Sequence, residues 1–121
     1  MAVTLQIEDA ELVVRLDGWQ RWAALKREVR APLAAVTAVS IARDANILKR
    51  GHRFPGSYVQ GRMYAGTWQS KGATDFWMVS NPRKVLVIAF ADQAYDRWLL
   101  NVDDLEGWVR RLSTKRWEAW E

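Results

Sequence analysis

The sequence contains no cysteine and only one histidine, His52. Without cysteine, disulfides, thiolate nucleophiles and cysteine-ligated metal centres are excluded. A zinc site would need carboxylates gathered around one imidazole, and a nucleophile–base pair would need His52 beside Ser57 on the same segment. The glycines do not have phosphate-loop spacing. We therefore predict a protein that is not an enzyme and that uses no metal and no cofactor.

Long hydrophobic runs are also missing. The longest, Val85–Ala91, is far shorter than the roughly 20 residues that a membrane-spanning helix needs. The N-terminal stretch Met1–Ala10 alternates apolar and polar residues and lacks the apolar core of a signal peptide. The length of 121 residues fits a single domain over residues 1–121. We predict a soluble, cytoplasmic domain.

The charge is concentrated in one part of the chain. The net charge is +4, from 18 bases and 14 acids. Between Arg43 and Arg62 lie five bases and one acid, so the remaining bases and acids cancel. A nucleic-acid-binding protein usually spreads its positive charge more widely. This pattern disfavours nucleic acid as a partner and indicates one local basic feature.

Alternating apolar and polar residues predict a chain made mainly of β-strands. Alternation, together with β-branched and continuously apolar runs, predicts seven strands: Val3–Glu8, Glu11–Leu16, Val36–Ala42, Arg62–Gln69, Thr74–Ser80, Lys84–Phe90 and Tyr95–Val102. A brief strand over Glu28–Ala31, closed by Pro32, is left open. Asp17 and Gln20 have the spacing of a capping box, which predicts a short helix over Gly18–Lys26, inserted after the second strand.

The end of the chain predicts one strong amphipathic helix. Leu105, Trp108, Val109 and Leu112 recur at the spacing of a single helical face. Acids precede this face and bases follow it, as the helix dipole favours. Together with short connections, these elements predict a mainly β (α+β) fold, a seven-stranded antiparallel barrel capped by the C-terminal helix.

Eight tryptophans are many for this length. Large aromatic side chains bury much area per residue, so we interpret Trp68, Trp77, Trp98 and Trp108 as packing residues. The alternative interpretation is a small barrel that binds an apolar or anionic small ligand in a Trp-lined cavity.

The order of elements resembles the pleckstrin-homology (PH)-like domains of bacteria. The segments that carry the resemblance are Arg30–Val36, Arg50–Gly56, Thr74–Val79 and Tyr95–Asp104. The resemblance implies seven antiparallel strands capped by a C-terminal helix, and a binding or assembly module without catalysis. Phosphoinositide-binding members carry a Lys/Arg motif across the first hairpin. Here the hairpin tip Glu8–Glu11 is acidic, which argues against specific phosphoinositide binding.

The segment Arg43–Gly61 is the candidate binding surface. Its nineteen residues show no clear periodicity, and we interpret them as a long loop, a kind of connection that is often functional. Arginines mixed with aromatic residues are typical of protein interfaces and of phosphate sites. The candidate binding residues are Lys49, Arg50, His52, Arg53, Phe54 and Tyr58.

Several occupants of this surface remain open from the sequence. We predict a protein partner or a second copy of the chain in a homo-oligomer, as for an adaptor. A weak, salt-sensitive contact with an anionic membrane is an alternative. The plain structural interpretation is a solvated basic loop with Phe54 tucked against the barrel.

Overall fold

The computed structural model describes residues 3–18, 20, 27–48, 52–59 and 63–120; for residues 46–47, 52–59 and 114–120 it describes the backbone only. These residues form nine β-strands, two short 3₁₀ helices and one α-helix. The strands are β1 (Thr4–Glu8), β2 (Glu11–Arg15), β3 (Glu28–Pro32), β4 (Val36–Ala42), β5 (His52–Val59), β6 (Met63–Ser70), β7 (Ala73–Val79), β8 (Val85–Phe90) and β9 (Arg97–Leu100). The 3₁₀ helices cover Leu33–Ala35 and Ala45–Leu48, and α1 covers Leu105–Trp120.

The first three strands form an antiparallel sheet in the order β1-β2-β3. The predicted hairpin between β1 and β2 is confirmed, with a two-residue turn in which Asp9 and Ala10 both have positive φ, 49° and 65°. Such a turn suits the right-handed twist of the strands it joins, although Asn-Gly is the usual sequence for it. The strand left open over Glu28–Ala31 is present as β3, and Pro32 is its last residue.

The other six strands form a second sheet in the order β4-β8-β9-β7-β6-β5. Its pairs are antiparallel except that β9 runs parallel to β7, because β9 lies between the consecutive strands β7 and β8. The predicted mainly β chain with a C-terminal helix is confirmed. The predicted seven-stranded barrel is not what the described strands form, since nine strands are divided between two sheets. The sequence pattern could not predict this strand order, because the insertion of β9 between β7 and β8 depends on contacts between distant residues.

One hydrophobic core lies between the two sheets and is closed by α1. The three-stranded sheet contributes Leu12 and Val14, and the six-stranded sheet contributes Phe76 and Trp98. Trp108 and Leu112 of α1 are buried in this core, and Leu105 and Val109 pack against it. The helical face predicted from the sequence is therefore confirmed.

Asp104 determines where α1 begins. It has a positive φ of 58°, and its Oδ1 accepts a hydrogen bond of 3.2 Å from the backbone N–H of Gly107. This is the bond of an N-cap residue, which satisfies one of the N–H groups that the first turn leaves unpaired. Asp104 is one of the acids that the sequence places before the apolar face of this helix.

The predicted loop over Arg43–Gly61 is wrong in part. Residues Ala45–Leu48 form a 3₁₀ helix, and His52–Val59 form strand β5. The sequence hid this strand because Pro55 cannot donate to a ladder and Gly56 weakens strands. Both are accommodated because β5 is an edge strand, with a shift of register between Arg53 and Gly56.

The predicted short helix over Gly18–Lys26 lies for the most part outside the described residues. At its start, the side-chain Oε1 of Gln20 accepts a hydrogen bond of 3.2 Å from the backbone N–H of Asp17. This is one half of the predicted capping box. Within the described part of the chain, no helix combines the length and the apolar character needed to cross a membrane.

Candidate binding surface

The six-stranded sheet carries a second hydrophobic core on the face turned away from the three-stranded sheet. Its buried members come from β6 to β9 and from the second 3₁₀ helix: Ala45, Tyr64, Trp68, Trp77, Val79, Val85, Val87 and Leu99. Leu48 packs against them. Because β7, β8 and β9 are covered on both faces, their sequences read as continuous apolar runs.

Three aromatic rings fill the centre of this second core. The ring centroid of Trp77 lies 5.0 Å from that of Tyr64 and 5.9 Å from that of Trp68. Among the residues that the structure describes, none supplies a hydrogen-bond acceptor to the buried indole N–H of Trp77. The predicted packing role is confirmed for Trp68, Trp77, Trp98 and Trp108, which are 2%, 0%, 1% and 8% exposed.

A buried ion pair lies at the edge of the second core. Asp75 is fully buried, and its two carboxylate oxygens accept hydrogen bonds of 3.2 and 2.6 Å from Nε and Nη2 of Arg97. Nη2 of Arg97 also donates to the backbone carbonyl of Leu48, at 2.7 Å. The ion pair therefore holds the end of the second 3₁₀ helix. This helix is part of Arg43–Gly61, which we call the basic segment.

Asn101 fixes the other attachment point of the same segment. Its Oδ1 accepts from the backbone N–H groups of Ser80 and Asn81, at 2.6 and 2.8 Å. Its Nδ2 donates to the carbonyls of Asn81 and Lys84, at 2.9 and 2.8 Å. The turn held in this way includes Pro82, whose carbonyl accepts from the backbone N–H of Ala45 at 2.8 Å.

The need for Asn101 follows from the sheet order. Since β9 separates β7 from β8, the turn that joins them must cross two strand spacings, about 10 Å. Backbone pairing inside so wide a turn is weak, with one long bond of 3.4 Å from the N–H of Lys84 to the carbonyl of Asn81. Asn101 comes directly after β9, between the two strands, and its carboxamide supplies both the acceptor and the donors.

Four of the six predicted binding residues belong to the edge strand β5, and the other two precede it in the sequence. Lys49 and Arg50 lie outside the described residues. His52, Arg53, Phe54 and Tyr58 all belong to β5. In the register with β6, Arg53 is opposite Trp68 and Tyr58 is opposite Tyr64, so the backbone of the candidate surface is aligned with the strand that carries two of the three central rings.

The two edges of the six-stranded sheet differ. Strand β4, at one edge, is the strand against which α1 mainly packs. Strand β5 pairs with β6 on one side, and within the described ranges no strand pairs with its other side. An edge strand presents backbone N–H and C=O groups in a row, which can accept another strand.

A network of ion pairs covers the outer face of the three-stranded sheet. Arg15 bonds to Glu8 at 2.7 Å and to Glu28 at 3.3 Å. Arg30 bonds to Glu11 at 3.4 Å and forms a further ion pair with Glu28. Glu8 and Glu11, two of the three acids of the first hairpin tip, are thus paired with arginines of β2 and β3, which the sequence pattern did not predict.

The same network explains a buried valine on a polar face. Val13 shares its face with Arg15 and is nevertheless 0% exposed. Glu8 is opposite Glu11, whereas Arg15 is opposite Thr4. Arg15 therefore has to extend across the row that contains Val13 to reach Glu8, and its methylene stem covers the valine.

Among the carboxylates of this network, Glu28 is the one whose pKa is clearly shifted. The hydrogen bond donated by Arg30 lowers the pKa of Glu28 from its ordinary value of 4.5. Desolvation opposes this effect, and the positive charges of Arg30 and Arg15 add to it. The pKa of Arg30 is raised in turn, chiefly by the same bond.

The arrangement as a whole is a six-stranded sheet in which the edge strand β5 belongs to the basic segment Arg43–Gly61. The attachment points are the carbonyls of Leu48 and Pro82, bonded to Arg97 and Ala45. Sequence reasoning found the basic segment from its charge but missed Asp75, Arg97 and Asn101. The only signal for Asp75 was a lone acid within an apolar strand.

Comparison of the chain with models of protein families, with curated proteins and with solved structures found no match.

Proposed function

We propose that the protein is a non-catalytic binding module and that the segment Arg43–Gly61 receives a protein partner. The observation that carries this proposal is that the net charge of the chain is concentrated around β5, an edge strand for which the described residues supply no second strand neighbour. Local charge steers and selects partners, and an edge strand provides backbone groups for contact.

The resemblance to PH-like domains forms part of this proposal. A C-terminal helix that closes a core between mainly antiparallel strands supports it. The parallel pairing of β7 with β9 departs from the consecutive antiparallel order that the resemblance implies.

A ligand in a Trp-lined cavity has less support. Trp77 packs against Trp68 and Tyr64, and Trp98 packs against Phe90 with ring centroids 4.6 Å apart. Rings that contact each other in this way act as packing.

The experiment is affinity capture from a lysate of the native cell with the full chain as bait, followed by mass spectrometry. The variant Arg50→Glu with Arg53→Glu should lose the captured partner. Its thermal stability should stay within about 0.5 kcal/mol of the parent, as is usual for surface charge changes.

The matched control is Arg27→Glu with Arg110→Glu. Both residues are exposed and lie outside the segment, and the change in net charge is the same. This control should keep the partner. Loss of the partner in both variants would indicate a general charge effect, and retention in both would refute the proposed surface.

A further inference from the structure

We infer that β5 binds its partner by strand addition and that the partner segment is an extended acidic peptide. This inference rests on the proposed function and specifies how the surface works. In strand addition, backbone hydrogen bonds supply affinity, and side chains of the edge region select the sequence.

The second half of β5 has the geometry for this mode. After the shift of register, four consecutive residues pair regularly with β6, from Gly56 opposite Gly66 to Val59 opposite Met63. In a strand paired on one side, alternate residues direct their N–H and C=O groups to the free side. Pro55 has no N–H to donate and lies within the irregular part. The stretch open to an added strand is therefore Gly56–Val59.

The charge around this strand selects the kind of partner. Lys49, Arg50 and Arg53 precede Gly56–Val59 in the sequence, and Arg62 follows it. Like charges directly opposite each other in paired strands are destabilising. Antiparallel pairing with β5 of a second copy would bring the two basic segments together, whereas an acidic strand would bring complementary charges. We therefore assign the edge to an acidic peptide and not to a second copy of this chain.

The same features have a competing interpretation. Natural proteins protect edge strands with proline, bulges and positive charges so that no strand adds to them. The two interpretations make opposite predictions, because a protected edge rejects every strand and a selective edge accepts an acidic one.

The experiment titrates the ¹⁵N-labelled full chain with a short synthetic peptide of alternating glutamate and valine. We expect shifted amide resonances at Gly56–Val59 and slower hydrogen exchange of the amides on the free side of β5. Two control peptides isolate the cause: one carries N-methyl groups on its valines, and the other has lysine in place of glutamate. The N-methylated peptide should bind at least about tenfold more weakly, because it lacks several backbone donors, and the lysine peptide should not bind.

Three outcomes would overturn the inference. Equal binding of the N-methylated peptide would show that charge alone attracts the peptide. No response at β5 to millimolar peptide would show a protected edge. A concentration-dependent dimer with protected β5 amides, seen without peptide, would assign the edge to a second copy.

Failure of this inference is distinguishable from failure of the proposed function. If Arg50→Glu with Arg53→Glu loses the cellular partner while the peptide leaves β5 unchanged, the surface is correct and strand addition is wrong. If that variant retains the partner, the proposed surface itself is wrong, whatever the peptide does.

Discussion

Asp75 and Arg97 lie opposite each other in the parallel pair β7–β9 and form a two-point ion pair in the interior. The side chain of Asp75 is 0% exposed and that of Arg97 is 15% exposed. Because the guanidinium also bonds to the carbonyl of Leu48, one buried pair connects two strands to the end of the 3₁₀ helix that lies within the segment Arg43–Gly61.

Removing one partner of this pair should be more harmful than removing both. Asp75→Ala leaves a mostly buried guanidinium without its counter-charge, and we expect a loss of about 3–5 kcal/mol in the free energy of unfolding. Asp75→Leu combined with Arg97→Met should lose less than the sum of its single changes. Urea unfolding of the four proteins measures the coupling, and strictly additive losses would contradict the structural assignment.

Asn101 should be among the most sensitive polar residues. Asn101→Ala removes the acceptor of two backbone N–H groups and the donor to two carbonyls of the wide turn, and we expect a loss of about 3 kcal/mol or more. Asn101→Asp keeps the acceptor but places a charge against the carbonyls of Asn81 and Lys84. It also loses the two donors that bond to those carbonyls, so this variant should be less stable than the parent. Urea unfolding of both variants measures the losses, and an Asn101→Asp variant as stable as the parent would argue against the carbonyl contacts.

Gly107 should resist replacement by alanine although alanine is the better helix former. A Cβ at this position would lie 2.0 Å from Oδ2 of Asp104, so the capping carboxylate would have to move and lose its bond. We expect Gly107→Ala to be neutral or destabilising in the parent. In an Asp104→Gly background, the same change should stabilise by about 1 kcal/mol, the ordinary difference in helix propensity. Thermal unfolding of the four proteins tests this reversal, and a stabilisation of equal size in both backgrounds would contradict it.

Replacing Ala10 by glycine should stabilise the protein. It has φ of 65° in the exposed β1–β2 turn, a conformation that costs a non-glycine residue about 1–2 kcal/mol. After the entropy cost of glycine, we expect Ala10→Gly to gain up to about 1 kcal/mol. The matched control is Ala34→Gly, at an exposed position without positive φ, which should lose stability. Chemical denaturation measures the free energy of unfolding of both variants. An equal change in the two variants would contradict the turn geometry.

Glu28 should contribute to acid sensitivity. Its pKa is lowered in the folded chain, mainly by the hydrogen bond from Arg30. Its stabilising contribution is therefore present above the unfolded-state value near 4.5 and is lost as the pH falls through the lower folded-state value. Glu28→Gln should be less stable than the parent at neutral pH, and the difference should shrink on acidification. Urea midpoints at a series of pH values measure this, and a constant difference would contradict it.

The local spacing of apolar residues was sufficient to predict a helix or strand where one of its faces packs against the core. The spacing of Trp108 and Leu112 predicted the buried face of α1, and alternation predicted β1 and β2. These predictions succeed because the period of the side chains is a property of the element itself. The candidate surface was found in the same way, from charge that is contiguous in the sequence.

Non-local relationships could not be obtained from pattern. Val13 is fully buried on the polar face of β2, and we attribute this to Arg15, which reaches across to Glu8 of the neighbouring strand, a direction that the pattern of β2 alone does not indicate. Strand β5 was missed because Pro55 is acceptable only at a sheet edge, and the position of an edge depends on the whole strand order. The buried pair of Asp75 and Arg97 requires the parallel alignment of two strands that are far apart in the chain.

The position of β9 has a consequence for the order in which the chain assembles. Strands β7 and β8 are consecutive and are joined by the short turn Ser80–Lys84, so the simplest early event is a direct hairpin between them. The native sheet forbids that hairpin, because β9 occupies the space between its two strands. The native alternative closes a longer stretch of chain and brings the carboxamide of Asn101 into the turn, where it bonds to backbone groups that a direct hairpin would otherwise pair. The same side chain that supports the finished sheet thus also selects it over the nearest misfolded competitor.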